Sequence, residues 1–224
     1  MIALQPVSRR ERERNQRRQE ILDAARYVFA EKGFADATLD DVAMRAEFGK
    51  GTLYNYFENK EALFVAVLED SFQTLMAIAR QALNADVAFA EKVDRFVRGV
   101  LTYFFHNLEW VQLIMRESHH LRMSNPLMHL MPQLLQMLAD TIAAEQRRRK
   151  VIGSVEAMGL ASVLFSLVIG QFNARVYRCF SGGGDEGLCT LAELFGRMTE
   201  KEISAEIDAA TRLISTVYFN GVSR

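Results

Sequence analysis

The chain has 224 residues, a formal net charge of −1, half of its residues hydrophobic and a quarter charged, which is enough apolar side chain to fill a core and too much for a disordered polymer. Three prolines, long stretches of 3.6-residue periodicity and no sustained apolar–polar alternation read as an all-α fold. Two cysteines, Cys179 and Cys189, are too few for a disulfide framework or a structural zinc site, and read as unrelated thiols of a reducing cytosol.

Charge is unevenly distributed. From Met1 to Arg18 six arginines (Arg9, Arg10, Arg12, Arg14, Arg17, Arg18) stand against two glutamates (Glu11, Glu13), a local +4 that leaves about −5 for the rest. A basic arm on a mildly acidic body suits an anionic partner at one end only. The first residues turn from apolar to highly charged, the reverse of a signal peptide's order. The longest weakly polar run, Ala157 to Gly170, is shorter than the ~20 residues that cross a bilayer. The chain reads as soluble and cytoplasmic.

The first predicted helix begins within the arginine-rich arm. It presents Ile21, Leu22, Ala25, Val28 and Phe29 on one face, and Lys32-Gly33 ends it, a cation followed by a glycine. Thr38 then offers an N-cap to a short helix carrying Leu39, Val42, Ala43 and Ala46, with Asp40 and Asp41 in the first turn where the helix dipole favours them. Gly49 breaks the pattern before a second short helix with Leu53, Tyr54 and Phe57. Asn59 caps a long helix over about 60–83. Further helices are predicted at about 87–107, 109–122, 126–148, 153–180 and 200–220, with a shorter one near 188–198. Asn125-Pro126 and the glycines at 182–184 are the clearest breaks.

The informative stretch is Thr38 to Lys60. Two short helices joined by a tight turn containing Gly49 have the form of a helix-turn-helix. Ala43 and Ala46 permit close crossing, and Leu53 and Phe57, one turn apart, anchor the second helix inward. Lys50, Gly51, Thr52, Asn55 and Tyr56 are left outward or at its N-terminal edge, residue types that suit base edges and phosphates in a major groove. Tyr54 and Tyr56 suit phosphate or thymine-methyl contacts.

The run Gly49-Lys50-Gly51-Thr52-Leu53-Tyr54-Asn55-Tyr56-Phe57, followed by Glu58 to Phe64, resembles the recognition helix and the start of the fourth helix of TetR-family repressors. Ile21 to Ala43 is similar to that family's first two helices. Phe48 and Gly49 depart from it, since the family usually has a small or β-branched residue and then serine there. The resemblance covers the first 65 to 70 residues. It implies that Thr38, Lys50, Tyr54, Tyr56 and Lys60 touch phosphates or bases, that Gly51 and Thr52 lie against base edges, and that the C-terminal body dimerises and binds a small effector. The N-terminal arginines are expected to add minor-groove or backbone contacts, as positively charged arms do elsewhere. The implied domains are a basic arm at 1–17, a DNA-binding domain at 18–65 with the motif at about 39–57, and a C-terminal dimerisation and ligand-binding domain at 66–224.

Two features of the body fit that expectation. Ile203, Ile207, Ala210, Ile214 and Val217 recur at spacings of four and three, the rhythm of a packed seam, and Gly159, Ser162, Ser166 and Gly170 form a stripe of small residues. Together they are expected to build a homodimer interface, which places two recognition helices on a pseudo-palindromic duplex. Packing of both faces inside one subunit is the alternative. Phe104, Phe105, Trp110, Met115, Met123, Phe165 and Phe172, with His119 and Asn173 as polar groups, are candidates to line a pocket for an apolar or aromatic effector.

No cofactor, metal or catalytic pattern is found. Glu117 and His120 form one E-x-x-H pair where a di-iron bundle needs two pairs and two further glutamates, and G-x-S-x-G, P-loop and paired-histidine zinc motifs are missing from the sequence. A helical DNA-binding or architectural protein without a small effector is the rival reading.

Overall fold

A computed structural model describes residues 8–117, 126–149, 155–181 and 198–222, and every regular element among them is a helix. In chain order these are α1 (Arg9–Asp36), α2 (Leu39–Arg45), α3 (Lys50–Tyr54), α4 (Lys60–Leu83), α5 (Phe89–His106), α6 (Leu108–Glu117), α7 (Pro126–Arg149), α8 (Ala157–Ser181) and α9 (Glu200–Val222). The all-α expectation is met. The short helix expected near 188–198 and Cys189 lie outside the described residues, apart from Met198 at the end of that stretch.

The chain divides into two units, Met1–Ser71 with Gln112–Asn125, and Phe72–Val111 with Pro126–Arg224. α1 begins at Arg9, within the basic arm, and residues 9–20 are exposed turns of that helix. In the first unit α1 buries Ile21, Leu22, Ala25, Val28 and Phe29, α2 buries Val42 and Ala43, and α4 buries Leu63, Phe64, Val67 and Leu68. Each such side chain removed from water contributes about 1.5–3 kcal/mol. Gly33 interrupts α1 with φ 82°, ψ 164°, a conformation that side chains rarely adopt. The break brings Phe34 to 6.0 Å from the Phe29 ring and 4.7 Å from Phe64.

In the second unit α5 is the most deeply sunk element, burying Phe89, Val93, Phe96, Val97, Val100, Leu101, Tyr103, Phe104 and Phe105. α9 packs against α5 and α8, and α7 against α8. Pro126 opens α7, where its missing N–H costs nothing, whereas Pro132 falls inside that helix. Thr199 caps α9: its hydroxyl accepts from the Glu202 N–H while its own N–H donates to the Glu202 carboxylate at 2.8 Å.

The regular spacing along α9 faces the chain's own core. Ile203, Ile207 and Ile214 are buried with Thr211 and Tyr218, so the three isoleucines belong to the contact of α9 with α5 and α8 inside one subunit. Ala210 is half-buried and Val217 points outward. Tyr218 sits in this contact beside Phe219, and burial pushes its hydroxyl pKa up to about 12.

The α4–α5 crossing is close at one point. A Cβ on Gly99 would meet Ile78 Cγ2 at 2.6 Å, and the β-branched Ile78 has little rotamer freedom in a helix with which to yield. Gly99→Ala is expected to lower stability by about 1–3 kcal/mol. Adding Ile78→Ala should recover much of that loss in urea unfolding, because the methyl that clashes is gone.

Candidate nucleic-acid interface

The first unit builds the site from its helix ends. Thr38 caps α2, its hydroxyl oxygen accepting from the Asp41 N–H at 3.1 Å, while the Asp41 carboxylate accepts from the Thr38 N–H at 3.0 Å and its hydroxyl at 2.8 Å. Lys32 Nζ donates to the other Asp41 oxygen at 2.7 Å. The Lys32 hydrogen bond, and after it those from Thr38, hold the Asp41 carboxyl down at about 2.

The turn after α2 takes its left-handed residue at Glu47, φ 57°, while Phe48 N–H donates to Ala43 O at 2.9 Å. Gly49 is the N-cap of α3 in extended backbone and supplies no side-chain cap bond. A Cβ there meets nothing within 4 Å, so the glycine is not demanded by the backbone. α3 is anchored by Leu53, fully buried, and by Phe57 just beyond it. Arg18, where the exposed part of α1 meets the core, lies 5.4 Å from the Phe57 ring centroid.

That anchoring decides what faces outward. Lys50, Gly51, Tyr54 and Asn55 are exposed, Tyr54 by 55%, and Thr52 and Tyr56 are half-buried. Lys50 is ion-paired with the exposed carboxylate of Asp40 on α2, a partner the sequence reading did not name. Thr52, Asn55 and Tyr56 form one wall of a cleft of about 820 Å³ whose other wall is α1, with Ser8, Arg10, Arg14 and Arg17.

Two residues assigned to DNA through the family resemblance are engaged within the chain. Thr38 is exposed, with its hydroxyl in the α2 cap. Lys60 Nζ donates to Ala35 O at 3.0 Å and Ala37 O at 2.9 Å and lies 4.7 Å from the Phe34 ring centroid. It ties the start of α4 to the turn after Gly33. The helical course of residues 9–20 was signalled by Ser8-x-x-Glu11, a capping box that the structure forms in full.

In the second unit Phe104, Phe105, Trp110 and Phe172 pack on one another, with Phe104 stacked on Trp110 at 5.8 Å and both phenylalanines edge-on to Phe172. Phe165 and Asn173 are half-buried on α8. His119, Met123 and the side chain of Met115 lie outside the described residues, as do His120 and the Glu117 side chain. A cleft of about 590 Å³ opens instead on the α4–α5 face, lined by Ile78, Ala82, Arg95, Arg98, Tyr103 and His106 among others. The Thr102 carbonyl, and after it the Glu200 carboxylate, raise the His106 pKa. Outward on α8 and α9 stand Gly159, Val163, Ser166, Gly170, Leu213 and Val217, with Ser162 half-buried. Among the described residues no cluster of three or more metal-ligating side chains is present.

Residues 21–67 match the model of the bacterial regulatory proteins, tetR family. The chain is similar to the HTH-type transcriptional activator FasR of Mycolicibacterium smegmatis, 30% identical over 106 residues that cover 47% of this chain and 48% of that protein. It is also similar to the HTH-type transcriptional repressor NicS of Pseudomonas putida, 31% identical over 104 residues, 46% of this chain and 49% of that protein. The chain thus spans about half the length of the curated relatives it matches. Among solved structures it is similar to the fatty acid degradation regulator FadR from Bacillus halodurans, TM-score 0.69 at 16% identity, covering 88% of this chain and 94% of that one. The TetR family transcriptional regulator PfmR from Thermus thermophilus has a TM-score of 0.65 at 19% identity, covering 91% and 99%. At these identities the structural likeness shows the fold, and it extends along most of the chain.

The fold and the anchored α3 define a helix-turn-helix protein with an all-helical body. Its N-terminal domain is similar over residues 21–67 to the tetR family of bacterial regulatory proteins.

The Asp41 cap has a pH consequence. Because its folded pKa, about 2, lies below the ordinary 3.8, the stability it lends is complete above 3.8 and is lost as pH falls through the folded value. Asp41→Asn should therefore be less stable at neutral pH, and its unfolding free energy should vary less between pH 4 and 2, as measured by denaturant titration.

Proposed function

We propose that the chain is a transcriptional regulator that binds a pseudo-palindromic operator as a homodimer in the cytoplasm and represses until a small apolar or aromatic effector releases it. The observation that carries the DNA reading is the outward, polar face of the short, anchored helix α3. Lys50, Gly51, Tyr54 and Asn55 project from α3 while Leu53 and Phe57 hold it down. These residue types read groove edges and phosphates. The curated relatives carry the same kind of name, one an activator and one a repressor, and repression is taken from the family resemblance.

The homodimer reading is supported by the outward face of α8 and α9. Val163 is 52% exposed, Leu213 48% and Val217 47%, beside glycines and serines that permit close helix approach. An apolar face of this kind suits a second copy. Effector control is supported by the cleft on the α4–α5 face and by α4, whose residues are shared by the two units. A ligand that prefers one conformation of the body lowers operator affinity by that preference. The reading without an effector draws on the aromatic cluster, whose rings fill one another's space.

Duplex fragments retained by the purified protein from a random-sequence pool would test the central claim. On a retained duplex, Lys50→Ala should weaken binding by about tenfold or more, corresponding to ~1–3 kcal/mol for a lost groove contact, and leave the dimer mass unchanged. Asp40→Asn should strengthen binding several-fold, since it releases Lys50 and removes a negative charge from the DNA-facing edge. A duplex affinity insensitive to Lys50 would refute the recognition-helix assignment.

For the dimer, Leu213→Glu with Val217→Glu should yield a monomer of 25.5 kDa in sedimentation with helical content retained. A persistent dimer would move the interface elsewhere.

A further inference from the structure

The cleft on the α4–α5 face joins apolar surface to positive charge. Residues 95, 98, 99, 102, 103 and 106 have helical spacing, so one face of α5 forms a wall, with Ile78 and Ala82 of α4 opposite. At Gly99 the two helices approach so closely that a Cβ would strike Ile78. Backbone and the Ile78 side chain therefore meet at the middle of the cleft, and Ala82 and Tyr103 extend its apolar lining. Its volume of about 590 Å³ falls within the roughly 300–1,000 Å³ that holds small organic ligands.

Three cations line this cleft, and their partners tell them apart. Arg95 gives Nε and Nη2, the side-on fork of its guanidinium, to Glu91 Oε1 at 3.2 and 2.7 Å. His106 has an acceptor at each ring nitrogen, the Thr102 carbonyl 2.8 Å from Nδ1 and the Glu200 carboxylate 3.2 Å from Nε2. Arg98 differs. Its Nη1 donates to Asp208 of α9, and its Nε and Nη2 have no acceptor among the described residues. The guanidinium is thus held through one nitrogen while its side-on fork is open. Asp208 does not cancel the local positive charge, since Arg212 also acts on that carboxylate.

We infer that the cleft binds a small amphipathic carboxylate, whose acid group takes the open fork of Arg98 and whose aromatic or aliphatic body lies along Gly99, Ile78 and Tyr103. The inference rests on the effector reading above and adds the acid group to it. A carboxylate offers two oxygens in one plane, matched to the two N–H groups of a guanidinium fork. An uncharged apolar molecule would leave that fork to water. The pair with Asp208 survives binding, because it uses a different nitrogen. Asp208 belongs to α9, which also exposes Leu213 and Val217, so the acid is held beside the helix that carries the proposed dimer face.

The test uses the full-length protein and the acids phenylacetate, phenylbutyrate and decanoate, each beside its primary amide. In calorimetry at least one acid should saturate the protein by millimolar concentration. Its amide should bind weaker by about tenfold or more, the loss of a charge-assisted bidentate bond. Titration with that acid should move the methyl resonances of Ile78. Arg98→Gln should weaken the acid by about tenfold or more and the amide little, with helical content as in the parent. Arg98→Lys, which keeps the charge and loses the fork, should recover only part of that loss. On a duplex retained from a random pool, the acid should lower the affinity of the parent and not that of Arg98→Gln. Saturation by none of the acids, equal binding of acid and amide, or parent-like binding by Arg98→Gln overturns the carboxylate site. Release of the duplex by the amides would then leave the effector reading standing. An acid that moves Ile78 and depends on Arg98, yet leaves duplex affinity unchanged, keeps the site and overturns its role as the effector site.

Discussion

A helix of five residues cannot hold itself together in water, because nucleating the first turn fixes several dihedrals for a single hydrogen bond. α3 exists because Leu53 and Phe57 are buried one turn apart, and that constraint orders the rest of the N-terminal domain. With those two positions inward, Lys50, Gly51, Tyr54 and Asn55 stay exposed, Lys50 paired with Asp40, and Thr52, Asn55 and Tyr56 line the cleft against α1. The same burial that stabilises the domain therefore aims its polar residues. Gly33 and Lys60 serve this geometry at one remove: the glycine breaks α1 so that Phe34 reaches Phe64, and the lysine ties the turn that follows to the start of α4.

The charge pattern follows a similar logic. Near-neutral net charge would ordinarily argue against a polyanion as partner. Two acids of the N-terminal domain, however, are placed where helix N-termini use them. Glu11 is held by the Ser8 N–H and hydroxyl, and Asp41 by Lys32 and Thr38, and both carboxyls lie below their ordinary pKa. A carboxylate stabilised by backbone N–H groups does not need an arginine. Along α1, Arg9 pairs with Glu13 and Arg26 with Asp23 and Asp70, while Arg10, Arg14 and Arg17 are exposed. Asp40 meets Lys50 across the turn. It competes with any anion for that lysine.

Much of this was legible in the sequence because the signals were local. The Thr38 cap, the inward pair Leu53 and Phe57, and the break at Gly33 each follow from residue type and spacing within a few positions. The body was harder to read, and α9 shows why. Ile203, Ile207 and Ile214 repeat at four and three, which establishes that this face is packed without naming what it packs against. Those side chains are buried in their own subunit, while Val217 and Leu213 lie on the other side. Periodicity reports burial, not partnership. The aromatic cluster is similar: Phe104, Trp110 and Phe172 are as suitable for a ligand pocket as for one another, and composition cannot distinguish the two. For Lys60 the deciding acceptors are main-chain carbonyls of residues 35 and 37, which no pattern of side chains displays.

α8 carries the argument from sequence to assembly furthest. Its apolar stretch runs on to Val176, beyond the limit expected from residue types, so that by length and composition it is able to cross a membrane, and only 28% of it is buried within the chain. α4 passes the same test but is 56% buried, as a core helix should be. Lipid would favour large apolar residues all round α8. Its outward side instead mixes Val163 with Gly159, Ser166 and Gly170, and Gln171, Asn173 and Arg175 continue the helix within the same stretch. Small residues lower the distance at which two helix backbones can approach, and hydroxyls remain satisfied there, as Ser162 is by the Met158 carbonyl at 2.9 Å. A face that is apolar, smooth and rimmed by polar groups is better completed by another protein helix than by acyl chains. In the proposed dimer that face brings two copies of α8 and α9 together, and the spacing of the two recognition helices becomes a property of the body rather than of the DNA-binding domain.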